Sequence, residues 1–134
     1  MPAASYQDLV VWQRAMDLTR EIYKLASHLP KEESYALSDQ MRKAAVSIPS
    51  NIAEGKERGS AKEFVTFLAI ARGSRAELET QLLICVKVGY LTETDILQAR
   101  KLLKEIGRML NTLITKLKTT LQTAQNAAQH PPVD

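Results

Sequence analysis

The chain holds a single cysteine, Cys85, so it can form neither an internal disulfide nor a cysteine-rich zinc site. Glycine and proline number five each in 134 residues, too few for the many tight turns of an all-β fold. Histidine occurs twice, at His28 and His130. Neither follows a glutamate by three residues, so the Glu-x-x-His pairs of a di-iron bundle are missing. Aromatic residues make up 5% of the chain, which leaves little material for stacking nucleic-acid bases. No uncharged apolar run reaches the ~18 residues of a membrane-spanning helix. Met1 to Val11 lacks the basic stretch and apolar core of a secretory signal, which points to the cytoplasm and away from a membrane. The run Glu54-Gly55-Lys56-Glu57-Arg58-Gly59 has two glycines, but it follows a helical segment rather than a strand, so it reads as a turn and not a phosphate cradle. Cys85 falls on an apolar stripe and is expected to be a core thiol. The expectation is a protein without cofactor, metal or catalytic site.

What the sequence does contain is helical periodicity. Apolar residues are 45% of the chain and charged residues 25%, ordinary proportions for a soluble globular protein. Val11, Ala15, Leu18, Ile22, Leu25 and Leu29 alternate spacings of four and three, which places them on one helix face over about residues 9–29. Trp12, Met16, Tyr23 and Ala26 widen that face. Ser5 or Asp8 can cap its start, and Pro30 ends it. Leu37, Met41, Ala44, Ala45, Ile48 and Ile52 mark a second helix over about residues 34–57. Pro49 inside it removes an N–H and crowds the Ala45 carbonyl. Ser47 and Ser50 are placed to bond the freed groups, so a kinked continuous helix is expected, closed by Gly55 or Gly59.

Ser60 and Glu63 form a capping box for a third helix over about residues 60–88, with Phe64, Phe67, Leu68, Ala71, Leu78, Leu82 and Cys85 inward. Gly89-Tyr90-Leu91 then reads as a glycine stop followed by a hydrophobic contact. Thr92-Glu93-Thr94-Asp95 opens the fourth helix, over about residues 92–120. There Ile96, Ala99, Leu103, Ile106, Leu110, Leu113, Leu117 and Leu121 hold a heptad pattern that Leu102 and Met109 widen. Short connections make consecutive helices antiparallel. The expected fold is therefore all-α: an antiparallel up-down-up-down four-helix bundle with a Pro-kinked second helix. It forms one domain over residues 1–121, and the polar tail over residues 122–134 should fray.

Charge is unevenly placed. From Ile96 onward there are six basic residues (Arg100, Lys101, Lys104, Arg108, Lys116, Lys118) against Glu105 and Asp134, while the rest of the chain holds 12 basic and 13 acidic residues. Such a helix either meets a polyanion by counterion release or is a solvated face paired with carboxylates of its neighbours. Arg42, Lys43, Arg58, Arg72, Arg75, Arg100, Lys101, Lys104 and Arg108 are the candidate phosphate contacts. Asn51, Glu54, Glu77 and Glu79 flank apolar stripes, either as register-fixing ion pairs or as a polar network between subunits. Trp12, Met16, Tyr23, Leu102 and Met109 give more apolar surface than four helices need among themselves, which suggests an oligomer interface.

Several stretches carry a family resemblance. They are Asp8-Leu9-x-Val11-Trp12, the run Gln40 to Gly55 with its Ser47-Ile48-Pro49-Ser50-Asn51-Ile52-Ala53-Glu54-Gly55 core, Glu63-Phe64 with Phe67-Leu68, Ala76 to Leu82, and Gly89-Tyr90-Leu91. Over about Tyr6 to Lys118 the chain resembles the four-helix-bundle proteins encoded within intervening sequences of bacterial 23S ribosomal RNA genes. That family is similar in turn to the accessory variability determinant of diversity-generating retroelements. The resemblance implies a homopentameric ring of bundles and RNA or DNA as a candidate partner. A protein partner, with no nucleic-acid role, is the alternative.

Overall fold

The computed structural model describes residues 5–33 and 36–129, and every regular element among them is helical. The four long helices are α1 (Val10–Ala26), α2 (Leu37–Glu57), α3 (Ala61–Lys87) and α4 (Leu97–Gln129). Single 3-10 turns at Tyr6–Asp8 and Lys31–Glu33 precede α1 and α2. Each helix packs on its sequence neighbours and α4 also packs on α1, which makes a four-helix bundle. The start of the second helix at Ser34 and the end of the tail, His130 to Asp134, lie outside the described residues.

The inward stripes assemble as one core. Leu18, Ile22, Met41, Ile48, Ile52, Leu68, Leu78, Leu82, Leu103, Ile106 and Leu110 have no exposed surface. Cys85 is buried among them, its thiol donating to the Met41 sulfur at 3.7 Å. Burial pushes the Cys85 thiol above its ordinary pKa, and the charge of Glu33 adds to this. It therefore stays protonated, as a core residue should and a nucleophile should not.

Helix ends follow the local chemistry in most places. Ser5 caps the first 3-10 turn, accepting from the Gln7 N–H at 3.2 Å, rather than capping α1, whose N-cap is Leu9 with no side-chain bond. The first helix ends at Ala26, short of Pro30, because the Ser27 hydroxyl and a His28 ring nitrogen both bond the Lys24 carbonyl. Ser60 accepts from the Glu63 N–H at 3.3 Å, one half of the expected capping box; the Glu63 carboxylate lies 4.0 Å from Arg58 instead. Gly59 and Gly89 have φ of 73° and 86°, left-handed values that glycine supplies without strain. After Gly89, the Tyr90 and Leu91 N–H groups both return to the Cys85 carbonyl, and Leu91 buries itself.

Gly55 is not a helix stop. It lies within α2, where a Cβ would come 2.6 Å from the Phe67 Cβ, so its role is to let α3 approach closely. The second helix runs unbroken through Pro49. The Ala45 carbonyl, which Pro49 cannot serve, is met from another helix: the Thr19 hydroxyl lies 3.3 Å from it while bonding its own Ala15 carbonyl at 2.8 Å. Ser47 does something else, facing the Ser74 hydroxyl at 2.8 Å and accepting from Asn51 at its carbonyl and its hydroxyl.

The fourth helix differs most from expectation. It begins at Leu97, after a turn in which Thr92 and Asp95 bond each other's backbone N–H groups. The Thr92 N–H, which donates to the Asp95 carboxylate, and after it the Thr92 side chain hold that carboxyl below its ordinary pKa. Helix α4 then continues to Gln129, through residues expected to fray. Ala124, Ala127 and Ala128 favour the helix. Thr119 and Thr120 bond carbonyls one turn back, and Gln122 bonds Asn126.

Candidate nucleic-acid interface

The solvent side of α4 is a ridge that the core stripe dictates. With Ala99, Leu103, Ile106 and Leu110 inward, the positions opposite are Arg100, Lys101, Lys104 and Arg108, all exposed. They span residues 100–108, about 12 Å of helix. Asn111, Thr112, Thr115, Lys118, Thr119 and Gln122 continue the exposed side beyond them. No acidic residue occurs from Leu97 to Gln129 except Glu105.

Glu105 is already engaged. It is half-buried and accepts from Arg14 of α1 at 3.0 Å. On the opposite flank, Glu79 of α3 lies 4.0 Å from Arg75. Two of the three carboxylates that line the grooves beside the ridge thus serve arginines of other helices, and Glu93 is the third. Among the described residues, Arg100, Lys101, Lys104 and Arg108 have no carboxylate within 4.0 Å. The four cations are thus free of direct ion pairs with the described residues. Two grooves lie along it. One, of about 310 Å³, is lined by Arg75, Glu79, Glu93, Leu97, Arg100, Lys101 and Lys104, and the second, of about 300 Å³, by Lys101, Lys104, Glu105 and Arg108.

Arg75 anchors the first groove. Its guanidinium packs over Gly107, where a Cβ would stand 2.9 Å from Nε, and Nη1 donates to the Leu103 carbonyl at 3.4 Å. Nε itself is buried without an acceptor among the described residues. A buried donor left unsatisfied costs about 1–3 kcal/mol, so Arg75 is a costly residue at a place where a packed apolar side chain would serve stability better.

The other basic candidates lie elsewhere and are occupied. Lys43 pairs with Asp39 at 3.0 Å. Arg58 pairs with Glu54 at 3.0 Å and lies over the Phe67 ring. Arg42 sits over the Tyr23 ring, 5.8 Å from its centre. Arg72 donates to Asn111 at 3.2 Å and so borders the ridge from α3. Glu77 accepts from Gln81 at 3.3 Å.

The candidate interface residues also divide. Leu102 is buried inside the subunit, 8% exposed, because α4 packs on both α1 and α3 and needs the wide stripe for them. Trp12 and Met109 are half-buried against the core, with Trp12 meeting Tyr6 edge to face at 5.4 Å. Met16 and Tyr23 remain 45% and 47% exposed, and with Val46 they form an apolar patch across α1 and α2. Ile70, Leu83 and Ile84 are exposed on α3, and Val88 is exposed at its C-cap. Gly73 lies on that same helix with open space where its Cβ would be.

Glu93 and Leu97 line the first groove and Arg14 holds Glu105 from α1, and none of the three was a candidate contact in the sequence. Leu97 was open to inference, since it directly follows the inward Ile96. Arg14 was not, because its meaning depends on which helix lies beside it. Among the described residues no group of three or more His, Cys, Asp or Glu side chains could hold a metal, and no helix is long and apolar enough to cross a membrane.

Comparison with known proteins bears on the fold and on little else. Residues 7–112 match the family model described as 23S rRNA-intervening sequence protein. A 1.70 Å crystal structure from Bacteroides thetaiotaomicron, described as a protein with unknown function from the S23 ribosomal protein family, superposes with a TM-score of 0.73. The two share 24% identity over 78% of this chain and 98% of the other. No curated protein matches.

Proposed function

Because the chain belongs to the 23S rRNA-intervening sequence protein family, whose description assigns no activity, we propose a function from its own residues: a non-enzymatic scaffold that grips the phosphate backbone of RNA or DNA along α4. The observation that carries this is the ridge of four cations, none within 4.0 Å of a carboxylate among the described residues, with Glu105 and Glu79 beside it held by Arg14 and Arg75. Lysines and arginines at four-residue steps stand about 6 Å apart along a helix, close to the spacing of successive phosphates on a strand. Contacts of this kind fix position on the backbone without reading bases.

The test is fluorescence anisotropy of a single-stranded RNA across a salt series. Four phosphate contacts give a slope of about −2.8 in log K against log salt on a single strand, a loss of about 50-fold between 50 and 200 mM. Lys104→Glu should weaken binding and flatten that slope. Affinity indifferent to salt would end the proposal.

The scaffold acts as a homo-oligomer in this reading, pentameric as the resemblance implies. Apolar surface outside the subunit supports it, with Met16, Tyr23 and Val46 on one side and Ile70, Leu83 and Ile84 on α3. Light scattering decides: a monomer at micromolar concentration would refute the assembly.

A second reading has its own support. The groove of about 320 Å³ lined by Tyr6, Trp12, Met16, Val46 and Pro49 has the aromatic and methionine character of protein interfaces. A protein-interaction module without a nucleic-acid role would keep its partner when Lys104 is reversed and lose it on Met16→Glu.

A further inference from the structure

The groove between α3 and the beginning of α4 has its charges sorted along its length. Toward Arg108 the α4 ridge offers Lys101, Lys104 and Arg108, and the one carboxylate among them, Glu105, is held by Arg14 at 3.0 Å. Past Arg100 comes Leu97, 52% exposed, and then Glu93, which has no cation within 4.0 Å among the described residues. A phosphate chain laid along the ridge from Arg108 therefore meets a positive charge at each step as far as Arg100 and a carboxylate after it. One more phosphate there would face a charge of its own sign. The chain has no favourable way to continue, but it can stop.

A chain that stops brings different chemistry. A terminal phosphomonoester carries about −1.5 to −2 charges at neutral pH, against one for an internal phosphodiester. It gains most where cations converge from two helices, as Arg75 of α3, with Glu79 at 4.0 Å beside it, and Arg100 and Lys104 of α4 do. Arg75 is held in place by the Leu103 carbonyl and Gly107, so its charge needs no reordering when a ligand arrives. Leu97 offers an apolar wall to a sugar or base edge. Glu93 can accept from a ribose hydroxyl or an exocyclic amine, as it could not from a phosphate. The groove, about 310 Å³, is large enough for one nucleotide.

We propose that the α3–α4 groove holds the phosphorylated terminal nucleotide of a polynucleotide, with Arg100 and Lys104 on the phosphomonoester, Leu97 against the nucleoside and Glu93 barring further chain. This rests on α4 being a phosphate-binding ridge. The experiment uses the full chain and one RNA sequence of about 20 nucleotides in four forms: 5′-phosphorylated, 3′-phosphorylated, hydroxyl at both ends, and circular.

A phosphorylated end should bind about tenfold tighter than the hydroxyl-ended and circular forms, well beyond the gain from one extra non-specific charge. The arm that gains shows which end is held, and adenosine monophosphate should compete with it. Glu93→Gln, a change in an exposed turn, should raise the affinity of circular RNA and narrow the difference. Equal, salt-dependent binding of all four forms would overturn the terminal-nucleotide proposal and leave the ridge standing. Absence of binding by any form would remove the ridge, and this proposal with it. A Glu93→Gln protein that discriminates as before would refute the acidic stop.

Discussion

Two glycines within helices should respond in opposite directions to the same substitution. Gly→Ala in a helix interior gains about 1 kcal/mol of intrinsic propensity, because alanine loses less backbone freedom on folding. At Gly73 nothing lies within 4 Å of the added Cβ, so the full gain should appear, raising Tm by about 3–5 °C at this chain length. At Gly55 the Cβ would sit 2.6 Å from the Phe67 Cβ and 3.0 Å from the Phe64 Cδ1. A Cβ is fixed to its backbone, so α3 itself must move. Overpacking costs about 1–3 kcal/mol, and contact this close belongs at the upper end. After the propensity gain, Gly55→Ala should lose about 1–2 kcal/mol and lower Tm by about 3–10 °C. Thermal unfolding followed by circular dichroism, with molecular mass checked at each concentration, measures both. A Gly55→Ala protein more stable than the parent would refute the close approach of α2 and α3. A neutral or harmful Gly73→Ala in a monomeric sample would refute the open surface on α3.

Two further substitutions test polar contacts. Thr19→Val keeps the side-chain shape but removes the hydroxyl near the Ala45 carbonyl. It should cost about 1 kcal/mol in chemical denaturation, and clearly less in a Pro49→Ala background, where residue 49 regains its N–H. The Asp95 carboxyl is held low by bonds from the Thr92 N–H and hydroxyl. Its contribution is therefore present at neutral pH and lost as pH falls below the ordinary carboxylate range. Thr92→Val keeps the N–H, the larger cause, and should move the Asp95 titration, followed by NMR, only part of the way up toward that range; an unmoved titration would disprove the hydroxyl's share.

Most of the fold was legible because each helix writes its inward stripe as a local period. Val11 to Leu25 and Ile96 to Ile114 repeat at spacings that only one helical face satisfies, and Gly89 with Leu91 declares its own turn. Legibility failed where meaning depends on a neighbour. The width of the α4 stripe at Leu102 looked like surplus surface, yet a helix wedged between α1 and α3 consumes it. Pro49 announced a freed carbonyl but not that Thr19, on another helix, would face it. The basic candidates formed one undivided set in sequence. Arg42 over Tyr23 of α1 and Arg72 bonded to Asn111 of α4 are engaged across helices, which no local spacing shows, while Lys43 with Asp39 and Arg58 with Glu54 pair one turn apart on α2. Engagement of this kind separates them from the ridge.

That separation leads to a substitution away from the ridge that should still weaken it. Arg14 is on α1 and was no candidate contact, but it holds Glu105 at 3.0 Å. Glu105 lines the same groove as Lys101, Lys104 and Arg108. Arg14→Gln removes one positive charge from α1 and releases a carboxylate beside three cations. A half-exposed ion pair contributes only about 0.2–1 kcal/mol to folding, so the protein should remain folded with little change in Tm. Its affinity for RNA should nevertheless fall, and the slope against log salt should flatten by about 0.7, the share of one phosphate contact on a single strand. Arg14→Gln combined with Glu105→Gln should recover both, because the competing carboxylate is gone. If Arg14 instead touches phosphate directly, the double substitution stays weak. If Arg14→Gln changes neither affinity nor slope, neighbouring carboxylates do not govern the ridge, and the account of why these four cations are free for a polyanion fails.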